Sequence, residues 1–278
     1  AAREAGLTVA LSGMGGDELF GGYASFTDAP RALMWRRRIG WFKLGKLAAQ
    51  MAGTRAGAKQ SEALSRPADL LMMYLLRREL FLPGERRALL GDLPDGSCPY
   101  TGLGQVRLEE LRHRAHGLDE INQVSLFELE IYLRNMLLRD ADVYSLAAPL
   151  EYRVPFLDHE FVETVFALPG QWKRRDPRPK PLLLDIAGAK LPATVARKPK
   201  RGFTFPWAAW LRADGPLAEL AREAAHDAAT WEHLGLRPSM VQAIWQSFVN
   251  GDRRISALQL LAFINLRDFA VRHHLRAA

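Results

Sequence analysis

The stretch LTVALSGMGGDELFGGY, Leu7 to Tyr23, decides how the chain is read. Leu7 to Leu11 form a short apolar run of strand length, and the run reads as buried. Ser12-Gly13 break it, and Gly15-Gly16 keep the backbone bare of side chains. Asp17-Glu18 then open a segment with Leu19, Phe20 and Tyr23 at helical spacing. A strand, a glycine turn and a helix start present free N–H groups and the positive end of the helix dipole, which favour an anion such as a phosphate. Acidic residues there either cap the helix or hold a cation that accompanies the phosphate. The Lys of a P-loop is missing, and the glycines do not match the dinucleotide fingerprint. The residues alone leave two readings open, a nucleotide loop or a glycine-rich turn capped by Asp17.

Resemblance separates them. The ordered run SGMGGDELFGGY, Ser12 to Tyr23, resembles the second nucleotide-site motif of the glutamine-dependent asparagine synthetases, within the ATP-pyrophosphatase group. RDADVYSLAAPLEYRVPFLDHEF, from Arg139, is similar to the same family: an Asp, a Ser-hydrophobic-Ala step, then E-x-R-x-P-F-L-D, filled by Glu151, Arg153, Pro155, Phe156, Leu157 and Asp158. RKPKRGFTFP, Arg197 to Pro206, is similar to the family's R-x-K-x-x-F loop.

The resemblance implies adenylation of the β-carboxylate of aspartate, or of a related carboxylate, followed by attack of ammonia to give asparagine and AMP. The cofactors implied are ATP and Mg2+. Ser12, Gly13, Met14 and Gly15 match nucleotide-binding positions, and Asp17 matches a magnesium ligand. Lys200 falls on the lysine that meets the triphosphate and the leaving pyrophosphate, where a fixed ammonium stabilises growing negative charge. The alternative for Lys200 is an exposed basic loop. Arg153, in a proline-stiffened segment, presents a bidentate fork to a carboxylate or pairs structurally with Glu151 or Asp158. Catalytic roles therefore fall to Lys200 and Arg153. Met14 departs from the family, which carries Glu there. A thioether neither accepts a proton nor holds a charge. Glu18 is no substitute, since the family has an acid at that place as well.

The implied fold is α/β, adenine-nucleotide α-hydrolase-like, while this chain reads as mostly α-helical with one buried strand near its N-terminus. In the family that strand lies midway through the synthetase domain. Residues 1–278 are accordingly expected to be the C-terminal part of such a domain, without the cysteine glutaminase domain that supplies ammonia and without the SGGxDS phosphate loop. On that expectation the chain by itself is inactive. A homodimer stays open.

Composition agrees with a globular chain: 278 residues, 48% hydrophobic and 25% charged. No apolar run is long enough to span a bilayer, and no secretory pattern opens the chain. The single cysteine, Cys98, excludes an internal disulfide or a thiolate metal cage and points to a reducing, cytoplasmic setting. A net charge of +7 raises the question of nucleic acid, with basic density at Arg36 to Arg38, Lys173 to Lys180 and Arg197 to Arg201. No helix-turn-helix, zinc or RNP-type signature accompanies it, so a solvated surface or the lining of a triphosphate pocket is preferred to a nucleic-acid site.

Further along, Ala32 to Met51 reads as an amphipathic helix anchored by Trp35, Ile39, Phe42 and Leu47, and residues 52–66 as a mobile link. Ala68 to Leu82 reads as an apolar helix whose Met72 and Met73 belong to the core. Residues 91–104 read as loop. Leu118 to Leu138 reads as one buried helix, Asp140 or Asp142 as the cap of a short helix ending near Ala147, and Val154 to Phe156 as extended. Asp158 is expected to cap a helix with Phe161, Val162 and Val165 inside. The remaining helices are expected at Lys180 to Ala189, Trp207 to Leu211, Leu217 to Ala229, Ser239 to Val249 and Ile255 to His273.

Overall fold

The computed structural model describes residues 2–38, 53–92, 96–192, 194 and 205–275. In chain order the described elements begin with β1 (Val9–Leu11), α1 (Gly16–Phe20), α2 (Ser25–Arg38), α3 (Arg55–Ser65), α4 (Leu70–Arg78), α5 (Pro83–Leu90) and α6 (Gln105–Ala115). One long helical run follows: α7 (Glu120–Phe127), a π-helical segment (Glu128–Leu137) and α8 (Leu138–Ala147). Then come β2 (Glu151–Arg153), a 3-10 turn (Pro155–Leu157), α9 (His159–Ala167), α10 (Gly170–Lys173) and α11 (Pro181–Ala187). The last are α12 (Trp207–Arg212), α13 (Pro216–His226), α14 (Ala228–His233), α15 (Pro238–Val249) and α16 (Ala257–Arg272). The architecture is mostly helical, with β1 and β2 paired in parallel. Among the described residues no helix is long and apolar enough to cross a membrane.

The chain forms two compact units. The first takes Ala1–Leu33, Asp69–Tyr74 and Glu109–Gly202. Its core sets Leu19, Phe20 and Val165, all buried, against Phe156, Phe161, Val162, Phe166, Leu182 and Leu183. The Phe156 and Phe161 rings lie 6.3 and 6.1 Å from that of Phe20. At five residues, α1 is too short to persist in water by itself, so this packing holds it. Asp158 caps α9 by accepting the Glu160 and Phe161 N–H groups, as the sequence predicts.

The second unit takes Met34–Ala68, Leu75–Leu108 and Phe203–Ala278. Its core gathers around Trp231, whose Nε1 donates to the Ala224 carbonyl at 2.6 Å, with Phe248, Leu260 and Phe263 beside it. Caps close its helices: Asp227 accepts from the Thr230 N–H, and Ser256 and Gln259 bond each other's backbone across the first turn of α16.

Several expectations are corrected. β1 is a strand but not a buried one, since Leu7 is 54% and Leu11 74% exposed. Apolar residues prefer cover without supplying it, and the described two-stranded sheet is too narrow to bury both faces. The segment 52–66 carries α3, begun by Thr54, whose Oγ1 accepts the Gly57 N–H at 3.1 Å; its small residues read as a link only without that cap. The helix expected at Ala32 starts at Ser25, and Trp35 is 59% exposed because it falls on the outer face. Ile39, Phe42 and Leu47 lie outside the described residues. Leu118 to Leu138 is not one buried helix. Asp119 caps it, burial is concentrated in Val124 to Phe127, and the helix widens to π and runs on through Asp140 and Asp142, which therefore cap nothing. Val154 leads directly into a 3-10 turn rather than an extended segment. Met72 and Met73 are core, as expected.

Candidate functional site

The turn after β1 is tied down by its own groups. The Ser12 N–H donates to the Arg153 carbonyl at 2.8 Å, continuing the parallel pairing one residue past the strand. Ser12 Oγ accepts the Met14 N–H at 3.1 Å, and the Gly16 N–H donates to the Gly13 carbonyl at 3.1 Å. The Gly15 N–H donates to Glu18 Oε2 at 3.1 Å, while Tyr23 donates its hydroxyl to Glu18 Oε1 at 2.7 Å. Burial pushes the Glu18 carboxyl up, opposed by the Tyr23 hydrogen bond, and burial together with Glu18 pushes the Tyr23 phenol up. Glu18 is thus a structural clasp. Three of the amides that the sequence offers to a phosphate already have acceptors within the turn.

Asp17 stands beside this clasp. A Cβ at residue 22 would fall 2.0 Å from Asp17 Oδ1, so the glycine there keeps the carboxylate's seat open. The Lys180 ammonium lies 2.8 Å from the same oxygen. Behind it, Arg174 donates to the Gly21 carbonyl and to Thr27 Oγ1, both at 2.8 Å, and covers the C-terminal end of α1, where a cation suits the helix dipole.

The first and second matched motifs meet here. Gly15, at φ 93°, is backed by the Pro155–Leu157 turn, with Leu157 Cδ2 at 2.6 Å and Phe156 Cβ at 3.2 Å from where its Cβ would stand. Leu11 aligns with Arg153 in the sheet register. Arg153 points its Nε to Glu151 Oε1 at 2.6 Å, with both side chains exposed, so of its two sequence readings the pair with Glu151 is the one present. Glu151 holds the guanidinium above its ordinary value. Lys200, with Arg197 to Phe203 around it, lies outside the described residues. Just after that stretch, Phe205 and Trp207 are described, with ring centroids 5.1 Å apart.

Sequence reasoning missed Lys180, Glu18 as a clasp, and Arg174. Lys180 lay in a noted basic segment, but nothing local marks which acid it faces. As to a metal, no group of three or more His, Cys, Asp or Glu among the described residues would hold an ion unaided. A single carboxylate suits magnesium, which binds through one or two carboxylates plus substrate phosphates. Asp17 fits that description.

The asparagine synthase family profile matches residues 1–266. The chain is 29% identical over 208 residues to asparagine synthetase (glutamine-hydrolyzing) 1 of Bacillus subtilis (strain 168), a match covering 74% of this chain and 32% of that protein. It is 33% identical over 233 residues to a protein of Mycobacterium tuberculosis (strain ATCC 25618 / H37Rv) named "Putative asparagine synthetase (glutamine-hydrolyzing)", covering 79% of this chain and 33% of that protein. No solved structure matches at a significant level. The chain belongs to the asparagine synthase family. It spans about a third of the length of these curated relatives.

Proposed function

We propose that residues 1–278 are the C-terminal part of a synthetase domain of the α/β, adenine-nucleotide α-hydrolase-like class, and that they serve adenylation of the β-carboxylate of aspartate. The acyl-adenylate then takes ammonia, supplied by a glutaminase, to give asparagine and AMP, with pyrophosphate released at the first step. One observation carries this: the glycine turn Ser12–Gly16 is stacked on the Pro155–Leu157 turn, which joins two family motifs around the Asp17 carboxylate.

In this proposal Ser12, Gly13, Met14 and Gly15 line the nucleotide. Because the Met14, Gly15 and Gly16 amides are engaged within the turn, lysine side chains carry the hold on the phosphates, with Lys200 beside the departing pyrophosphate. An ammonium fixed where charge grows stabilises the transition state more than the ground state. Asp17 would hold magnesium, which supplies charge neutralisation at the phosphate oxygens. Arg153, exposed and able to exchange Glu151 for a substrate carboxylate, orients that carboxylate by its fork. Met14 leaves the turn without a proton acceptor at the family's Glu position, so ammonia loses its proton elsewhere, or the carboxylate acted on is not that of aspartate.

The test is ATP–pyrophosphate exchange in the chain co-expressed with the N-terminal portion of a family synthetase. Aspartate-dependent exchange, lost in Asp17→Ala and Lys200→Ala, is the expected result; exchange at background with both portions present removes the proposal. A second reading, a helical scaffold without catalysis, is favoured by Met14 and by the internally bonded amides. Binding of labelled Mg-ATP that is indifferent to Lys200→Ala would support the scaffold.

A further inference from the structure

Lys180 adopts a left-handed backbone, φ 54° and ψ 51°, immediately before Pro181 opens α11. Its carbonyl accepts the Leu184 N–H at 3.0 Å as the cap residue of α11. Its side chain reaches α1, with the ammonium 2.8 Å from Asp17 Oδ1. That oxygen is shut off from solvent, and a Cβ at Gly22 would close its seat. The neighbouring cations are committed elsewhere: Arg174 to Gly21 and Thr27, Arg175 to Asp185, and Arg178 to Asp176 and Asp185. Lys180 is the cation of this segment aimed at Asp17.

The geometry points to Lys180 as a built-in counter-ion that holds the Asp17 carboxylate in the seat of a divalent cation and exchanges places with that cation. The inference rests on Asp17 being the metal ligand. A carboxylate oxygen cut off from water is costly without a positive partner. A tethered ammonium supplies one at high effective concentration, which keeps the glycine turn in shape before nucleotide arrives. A divalent cation entering the seat displaces the ammonium. Cation binding and release of Lys180 are then one coupled equilibrium, and the pairing lowers the affinity for the cation.

All measurements are made in millimolar pyrophosphate: the full chain is acetylated with a lysine-specific reagent, and the rate at Lys180 is read by peptide mass spectrometry with and without millimolar magnesium. The Asp17 pairing holds the Lys180 amine against α1, where the reagent reaches it poorly. Magnesium is expected to raise Lys180 acetylation severalfold and to leave buried Lys173 unchanged. Asp17→Asn should react fast without magnesium and show no further response. Manganese, followed by its spin resonance signal, should bind Lys180→Met about tenfold more tightly than wild type. Lys180→Gly, which accepts the left-handed backbone freely, should show the same gain if Lys180→Met folds poorly. Lys180 acetylation indifferent to magnesium, or manganese affinity unchanged in both variants, overturns the inference. Failure of the proposed function reads differently: pyrophosphate exchange stays at background while the magnesium response of Lys180 is intact.

Discussion

Gly15 and Leu157 meet at the limit of contact: a methyl group on Gly15 would stand 2.6 Å from Leu157 Cδ2. Gly15 also sits at φ 93°, a region where side chains are strained. The glycine turn and the Pro155–Leu157 turn therefore fix each other's position, and through them β1 and β2 are held in register.

Gly15→Ala combines backbone strain with overpacking and is expected to destabilise the first unit by about 2–4 kcal/mol. Gly13→Ala, with nothing within 4 Å of its Cβ, should stay close to wild type. Urea midpoints of the two variants check the contrast, and equal midpoints would contradict the packing described.

In the second unit Arg66, with its side chain fully buried, forks onto Glu79 at 2.9 and 2.6 Å and donates to the Tyr100 carbonyl at 2.9 Å. Arg66→Met leaves Glu79 largely covered and short of its main partner, so a loss of about 3 kcal/mol is expected. Adding Glu79→Gln should cost less than the sum of the single changes, as a double-mutant cycle would show.

Lys173 is buried, with its Nζ 2.6 Å from Asn122 Oδ1 and 4.9 Å from the centre of the Phe166 ring. Burial pushes its ammonium down from 10.5 to about 8, opposed by Asp119. The folded chain thus sheds this proton before the unfolded chain does. Between pH 8 and 10.5 the unfolded state binds more protons, so this group's contribution to stability rises with pH across that window. Wild type should gain roughly 2 kcal/mol on Lys173→Met from one end of it to the other. A difference flat in pH would show that Lys173 is not held this way.

Arg153 and Glu151 are both exposed, and surface pairs of this kind add little to stability. Arg153→Ala should therefore melt with wild type. In the co-expressed enzyme the same change is expected to weaken the carboxylate substrate's KM on the order of tenfold or more, the size of a lost charge-assisted hydrogen bond. A drop in melting temperature with KM unchanged would make Arg153 structural.

The helices of the second unit were legible because their signals are local. Pro at the first position of α13 and α15, the Ser256 hydroxyl cap of α16 and an apolar period place these helices within three residues of their observed bounds. The cap of α9 was legible for the same reason. α3 was not, since Gly, Ala and Ser suit a link as well as a helix until Thr54 is seen accepting from Gly57. β2 was missed because Glu151-Tyr152-Arg153 carries no strand pattern of its own; it is a strand because Val9, Ala10 and Leu11 lie beside it. Around the turn, Ser12 to Asp17 were legible as a unit. The Glu18 clasp was hidden, because an acid after a glycine turn reads equally well as ligand or cap.

By itself the sequence determined the family and the places of its motifs, because those rest on the identity and order of residues inside short windows. It also determined most helix starts, because caps and prolines act within one turn of backbone. Only the tertiary structure decided that Gly15 rests on Leu157, that the loop amides are already engaged, and that Lys180 rather than a neighbouring arginine faces Asp17. Those contacts join residues far apart in the chain. Their geometry follows from how strands, turns and helices close on a shared core, and no local period encodes that closure.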